Sequence, residues 1–565
     1  MGDPPPLWGR PLNEYVASYQ FEKTKQRGIF NIDPPTTLTR EAADALSALG
    51  GARDGAGPSE SALSIPVTIG NIQAVLRLIH YPRTYRHLAQ PSAIGGCIKL
   101  MSSIKLDGKS SPFSYEYGYL CFRVLTIVLG RCLLHRSDKL DNCILGIEQD
   151  VRMSPQRDII QLFSHYVSIS LCMELSLKNQ VQLDQILGWI IVERQPKQPP
   201  LVTIPDTELL FTILWDDRKM FFKALRSTYY PGISAVIFIL WHLSCREQNP
   251  NKIKFQSTAL TEITFRYNLI STSDQKRALD FINMDRGTTN RVITWERDMK
   301  QVDLEDCRQV IGTYINRFEP LNPTLYEPIS VLDGPIILRT VALFVTQGTE
   351  DLLPTILQVT VKHIWDEIKN PSEPTKPDVY VDAIRDTIPN YATILRNRPV
   401  FGRINYDLSQ GLVDTIVNYD LIDLVARGIL MLDLASGPPA HEHAGSVDYL
   451  NRVQIFYAQL AAGTVPKKVL IRDLRAFISP VAQVSELSRL VPGDPAPRPC
   501  GSYTKSRSFG ANIRGAMTRS EWAASSLLAL PVMTAHIVVQ FVDRWTGELE
   551  ALGVRTQFYA LRQRR

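Results

Sequence analysis

The stretch DLLPTILQVTVKHIWDEIKNP, residues 351–371, decides the fold class. Leu353, Leu357, Val361, Ile364 and Ile368 follow steps of four, four, three and four residues, the spacing of one face of an α-helix. Ile356 and Trp365 widen that stripe beyond a narrow seam, so the helix needs neighbours on more than one side. Asp351 stands where a cap belongs, and Asn370-Pro371 stands where a helix must break.

The same reading extends outward. Similar apolar runs occur at residues 120–134, 159–177, 209–225, 233–243 and 421–434, and alternating strand patterns are scarce. Clusters of Pro and Gly at residues 50–58, 195–205, 370–377, 436–445 and 492–501 punctuate them as connectors. The expectation is an all-α chain, either a superhelical solenoid of stacked helix pairs or an irregular helical array. The expected organisation is a Pro/Gly-rich N-terminal arm with short helices (1–62), a helical body (63–491), a basic linker (492–520), and a C-terminal helix with a basic tail (521–565).

Residues 411–433 (GLVDTIVNYDLIDLVARGILMLD) resemble the apolar third helix and flanking turn of armadillo repeats, and residues 97–136, centred on Gly118-Tyr119-Leu120-Cys121-Phe122, have a similar look. The chain as a whole resembles divergent armadillo/HEAT-like helical proteins, many of them uncharacterised and fungal, diffusely over residues 65–478. That resemblance implies a right-handed superhelix with an extended groove for a protein partner.

Composition sets outer bounds. The 565 residues are 44% hydrophobic and 21% charged, which excludes a wholly disordered chain, a collagen and a polytopic membrane protein. Eight cysteines are too few for a disulfide scaffold. Cys121, Cys132 and Cys143 are spaced by eleven, about three helical turns, which separates neighbours by about 16 Å and prevents a shared metal. A helix is not expected to run unbroken through Ser137-Asp138, and the thiols read as small buried hydrophobes. Met1 to Pro6 has neither a basic nor an apolar leader region, and Pro6 stands where a myristoylation signal needs Ser or Thr. Free thiols without an entry signal point to the cytosol, with the nucleus as the alternative. The charge-free stretches 229–245 and 523–542 are too short or too polar to span a bilayer and read as buried helices, so no transmembrane insertion is expected.

No stretch carries a recognisable catalytic constellation. Gly108-Lys109-Ser110 has the tail of a phosphate-binding loop, but Ser103 replaces the first glycine and Pro112 follows closely, so a surface turn is expected. His441-Glu442-His443 lacks the one-turn spacing of a zinc motif and reads as a polar loop. His80 and His87 flank Pro82 in what reads as an inter-helix turn. Asp216-Asp217 point about 100° apart on a helix. The group from Asp303 to Asp306 sits at a helix start, where acids favour the dipole. No cofactor is expected.

Charge is uneven. Residues 495–565 hold ten basic and four acidic residues, a net +6 against +5 for the whole chain. Arg498, Lys505, Arg507, Arg514 and Arg519, interleaved with Tyr503 and Phe509, form a candidate basic contact patch for phosphate and stacked bases. The leading expectation is a non-enzymatic scaffold that binds a protein partner along a helical groove. The alternatives are recruitment to nucleic acid or an anionic membrane by the basic tail, self-association into a structural shell such as a viral one, and an enzyme whose site is assembled from distant residues.

Overall fold

The computed structural model describes residues 8–19, 33–54, 67–106, 108–154, 158–190, 199–228, 232–288, 303–320, 326, 328–370, 377–396 and most of 411–425. The described residues are overwhelmingly helical. In chain order the helices are α1 (Leu12–Ser18), α2 (Thr36–Asp54), α3 (Ile69–Leu78), α4 (Pro91–Ser103), α5 (Glu116–Arg136), α6 (Leu140–Met153), α7 (Ile159–Leu177), α8 (Gln180–Leu187) and α9 (Ile204–Asp216). They continue with α10 (Arg218–Ser227), α11 (Ser234–Arg246), α12 (Pro250–Asn268), α13 (Ser273–Thr288), α14 (Leu304–Phe318), α15 (Asp333–Val341), α16 (Leu353–Lys369) and α17 (Pro377–Arg396). A two-residue hairpin, β1 (Lys105–Leu106) with β2 (Lys109–Ser110), joins α4 to α5. The described chain is thus all-α in class. It divides into two compact units, Met1–Pro328 and Ile329–Arg565.

Local chemistry explains the boundaries. Thr68 with Asn71, and Asn179 with Gln182, form reciprocal capping boxes that start α3 and α8. Asp158, Thr203, Asn249 and Asp303 each satisfy an orphan amide at the start of α7, α9, α12 and α14. Pro91, Pro250 and Pro354 occupy the first turns of α4, α12 and α16, where their missing N–H costs nothing. Asp138, at φ 54°, turns the chain between α5 and α6, so Cys121 and Cys132 lie on one helix and Cys143 on the next.

In the first unit α5 is the hub. Apolar residues occupy nearly every side of it, and such a helix must be covered on nearly every side. It contacts α1, α3, α4, α6, α7, α8 and α11, together with the turn at residues 112–114. By length and composition α5 and α7 could cross a bilayer; in the fold 94% and 56% of their apolar windows are buried among other helices. The apolar stretch 229–245 supplies α11, buried from Ser234 through Ser244, while 523–542 lies outside the described residues. Around this hub α2 packs on α3 and α4, α9 on α4 and α11, and α7 on α13, more than a hundred residues later. One continuous apolar core runs from Leu12 to Ile282. In the second unit α17 packs on α15 and α16, with Ile356, Leu357, Val361 and Ile364 of α16 buried as its stripe requires.

Four expectations change. The run at 209–225 is two helices, because Asp217 leaves helical geometry (φ −102°, ψ 22°) between α9 and α10. Gly50 and Gly51 do not open a linker; they continue α2, where Gly50 lies against Ser92 of α4. Asp351 does not cap α16; a 3₁₀ turn over Glu350–Leu352 leads into it. The stretch 97–136, which looked like one repeat helix and its turn, holds the end of α4, the hairpin and α5. Most of 411–433 lies outside the described residues.

Candidate functional site

Of the two acidic groups that stand out in the sequence, Asp303 to Asp306 comes to the place in the first unit where α10, α12 and α14 meet, whereas Asp217 faces the turn at residues 111–114. Asp303 accepts the Asp306 N–H at 2.8 Å and so caps α14, as an acid at a helix start is expected to do. Capping turns Asp306, three residues on, into the interior. There it takes both terminal nitrogens of Arg266 in a bidentate pair at 2.7 and 2.6 Å. Glu262, one turn before Arg266 on α12, accepts from Arg266 Nε at 3.0 Å and from Arg218 Nε at 3.0 Å. These side chains are nearly sealed from water: 0% exposed for Arg266, 2% for Glu262 and 4% for Asp306.

A second, outer layer covers the first. Lys219 Nζ sits 2.8 Å from both Asp303 Oδ2 and Glu305 Oε2, and Lys223 reaches Glu305 at 3.4 Å. Arg218 lies 4.3 Å from the ring centre of Trp215 and donates to its carbonyl at 3.0 Å. Burial works against the charge on Arg266, but its bonds to Asp306 and Glu262 outweigh burial and hold its pKa above the ordinary value. Lys219 is raised in the same way, burial being overcome by Asp303 and Glu305. Four cations here face four carboxylates, so the cluster is balanced and ties α14 to α10 and α12.

Breaking only the outer layer is a modest change. Asp303→Ala removes the cap of α14 and one partner of half-buried Lys219, and should cost about 1 kcal/mol in chemical denaturation, with an unchanged denaturant slope.

A second buried pair lies between α8 and α11. His242 Nε2 is 2.8 Å from Asp184 Oδ1, and Arg246 closes on the same oxygen at 2.5 Å. Trp189 stacks on the His242 ring at 5.3 Å and donates its indole N–H to Val202 O at 2.8 Å. Burial pushes the pKa of His242 down against the pull of Asp184, so the imidazole stays neutral. Nothing in the sequence marks it, because it sits inside an uncharged apolar run. Arg131, fully buried on α5, lies over the rings of Tyr85 (3.9 Å) and Phe163 (5.2 Å).

The other singled-out residues fall apart. Gly108 (φ 79°), Lys109 and Ser110 form the exposed hairpin turn and its strand. His80 is buried, with a pKa lowered by burial to about 4, while His87 is exposed. Cys97, Cys121, Cys132, Cys143 and Cys307 are buried; Cys172 is half-buried and Cys245 exposed. Burial pushes the Cys97, Cys132 and Cys143 thiols up to about 12. Among the described residues no three His, Cys, Asp or Glu side chains are placed to share a metal ion. His441-Glu442-His443 and the basic patch of Arg498, Lys505, Arg507, Arg514 and Arg519 lie outside the described residues. No family model, no curated protein and no solved structure matches this chain.

Proposed function

We propose that the protein is a non-enzymatic helical scaffold that holds a protein partner, with its charged interior serving to lock helices and its outer apolar side chains serving to bind. The observation that carries this reading is the concentration of exposed apolar side chains on α6, α7 and the start of α8. Met153 is 81% exposed and Leu177 78%, with Leu145, Val181 and Met173 also open. Met173 and Leu177 stand one turn apart on α7, and flexible thioethers suit a surface that adapts to a partner. For the body of the first unit the reading favours the irregular helical array over the solenoid. In a solenoid each repeat meets only its neighbours, whereas α7 meets α13 and α9 meets α4. The proposed compartment is the cytosol or nucleus, where the free thiols stay reduced.

The test is affinity capture from lysate by the full chain, by the Met173→Glu/Leu177→Glu variant, and by a chain ending at Asp494, washed at low and high salt with and without nuclease. The reading expects a protein retained at high salt and after nuclease by the full and shortened chains, and lost with the α7 variant. Retention by the α7 variant, or loss with the tail or on nuclease treatment, would overturn it. Loss with the tail would assign the function to the basic segment from Arg498 to Arg519.

A further inference from the structure

Asp217, at the corner between α9 and α10, is a buried carboxylate with only neutral donors around it. It is 6% exposed. Its Oδ1 accepts from Ser111 Oγ at 3.1 Å, and its Oδ2 accepts from the Phe113 N–H at 2.9 Å. Both donors belong to the segment that follows the hairpin, more than a hundred residues away in sequence. Ser114 Oγ, half-buried, lies 2.6 Å from Ser111 Oγ, so a chain of hydroxyls leads from near the surface to the carboxylate. The rings of Phe113, Phe122 and Phe221 pack against one another beside it at 5.0–5.4 Å.

Most charged groups on the surrounding elements are engaged elsewhere or exposed, Lys99 of α4 and Arg123 of α5 are half-buried, and Arg123 acts on Tyr15 and Tyr119. Arg218 turns to Glu262 and Trp215, and Lys219 to Asp303 and Glu305. Lys105 and Lys109 of the hairpin are exposed, and Glu116 of α5 is bound to Arg10. Asp216 adds a second negative charge next door. Burial and the neighbouring negative charge both work against the ionised form of a carboxylate so placed.

We propose that Asp217 is a proton-dependent latch: protonated, it holds the turn at residues 111–114 on the α9–α10 corner, and ionised, it favours release of that turn. Burial, opposed by the Phe113 and Ser111 donors, raises its pKa from 3.8 to about 7. Release exposes the carboxylate to water and returns it to the ordinary range. Between those two values the docked state binds more protons than the released one, so docking weakens as pH rises and levels off above about pH 7. The opening equilibrium should therefore grow about tenfold per pH unit across that window.

Hydrogen exchange of the full chain from pH 5 to 8.5 reads this directly, at the Phe113 amide and at the Ser111 amide that donates to Ile104 O. After correction for intrinsic exchange, the protection of both should fall about tenfold per unit up to about pH 7 and then stay flat, while amides in α5 hold steady. Asp217→Asn keeps the shape without the charge and should make the profile flat. Ser111→Ala removes one donor to the anion and should move the break to higher pH, which decides the matter if the Asn variant does not fold. A flat profile in the unaltered protein would overturn the latch. So would an unchanged slope in Asp217→Asn, or an unmoved break in Ser111→Ala.

Discussion

Asp306→Ala should lower the unfolding free energy by about 3–5 kcal/mol, among the largest losses any single substitution here can cause. The size follows from what remains. Arg266 is wholly buried and makes two short bonds to Asp306. Remove that carboxylate and a guanidinium stays in the interior with Glu262 alone, and Glu262 already serves Arg218. The loss is the cost of an uncompensated buried charge, and it exceeds the net worth of the pair. Asp306 also begins α14, so hydrogen exchange in that helix should rise before exchange in α5. Denaturant titration of the variant checks the magnitude, and a loss under 1 kcal/mol would mean that the pair is solvated.

Gly96→Ala should cost about 3 kcal/mol or more for a steric reason. Gly96 lies on α4 where it crosses α2, and a Cβ built there falls 1.8 Å from the carbonyl oxygen of Leu49 and 2.7 Å from its carbon. Those are backbone atoms, so no rotamer change relieves the clash and the two helices must part. The better helix propensity of alanine, about 1 kcal/mol, offsets only a fraction. Gly51, on α2 close by in sequence, is the control. Nothing lies within 4 Å of its would-be Cβ, so Gly51→Ala should stabilise by up to about 1 kcal/mol. Thermal unfolding of the two variants should shift in opposite directions; two equal shifts would contradict the α2–α4 packing.

The legible part of the fold was what repeats every three to four residues. The apolar runs at 159–177, 233–243 and 353–368 each became a helix, because their stripe needs only local geometry and a neighbour to cover it. Asp303 was legible as a helix-start acid for the same reason. What Asp306 does was not: its partner, Arg266, lies 40 residues away, and one sequence does not record which helices meet. Asp217 stands out beside Asp216 as an acidic pair, but the apolar spacing of its run continues across it and conceals the backbone turn that brings it to Ser111 and Phe113. Gly50 and Gly51 read as a breaker because glycine is a poor helix former in isolation, yet at Gly50 the close approach of Ser92 calls for the smallest residue. His242 gave no signal at all, since a neutral buried imidazole sits among apolar residues without disturbing their pattern. The basic patch from Arg498 to Arg519 was the plainest charge signal in the chain, and it lies outside the described residues.

In the proposed scaffold the buried charges lock the helices while the outer surface binds the partner. The most direct test replaces the whole inner cluster at once, with Arg218→Met, Glu262→Leu, Arg266→Met and Asp306→Leu in one chain. A buried ionic cluster exchanged whole for apolar side chains of similar volume leaves no stranded charge and often leaves stability equal or higher. The variant should stay helical, unfold cooperatively and still capture the same protein partner as the unaltered chain. A variant that folds with the same helical content but no longer retains that partner would contradict this division of roles, because the cluster would then be the functional site itself.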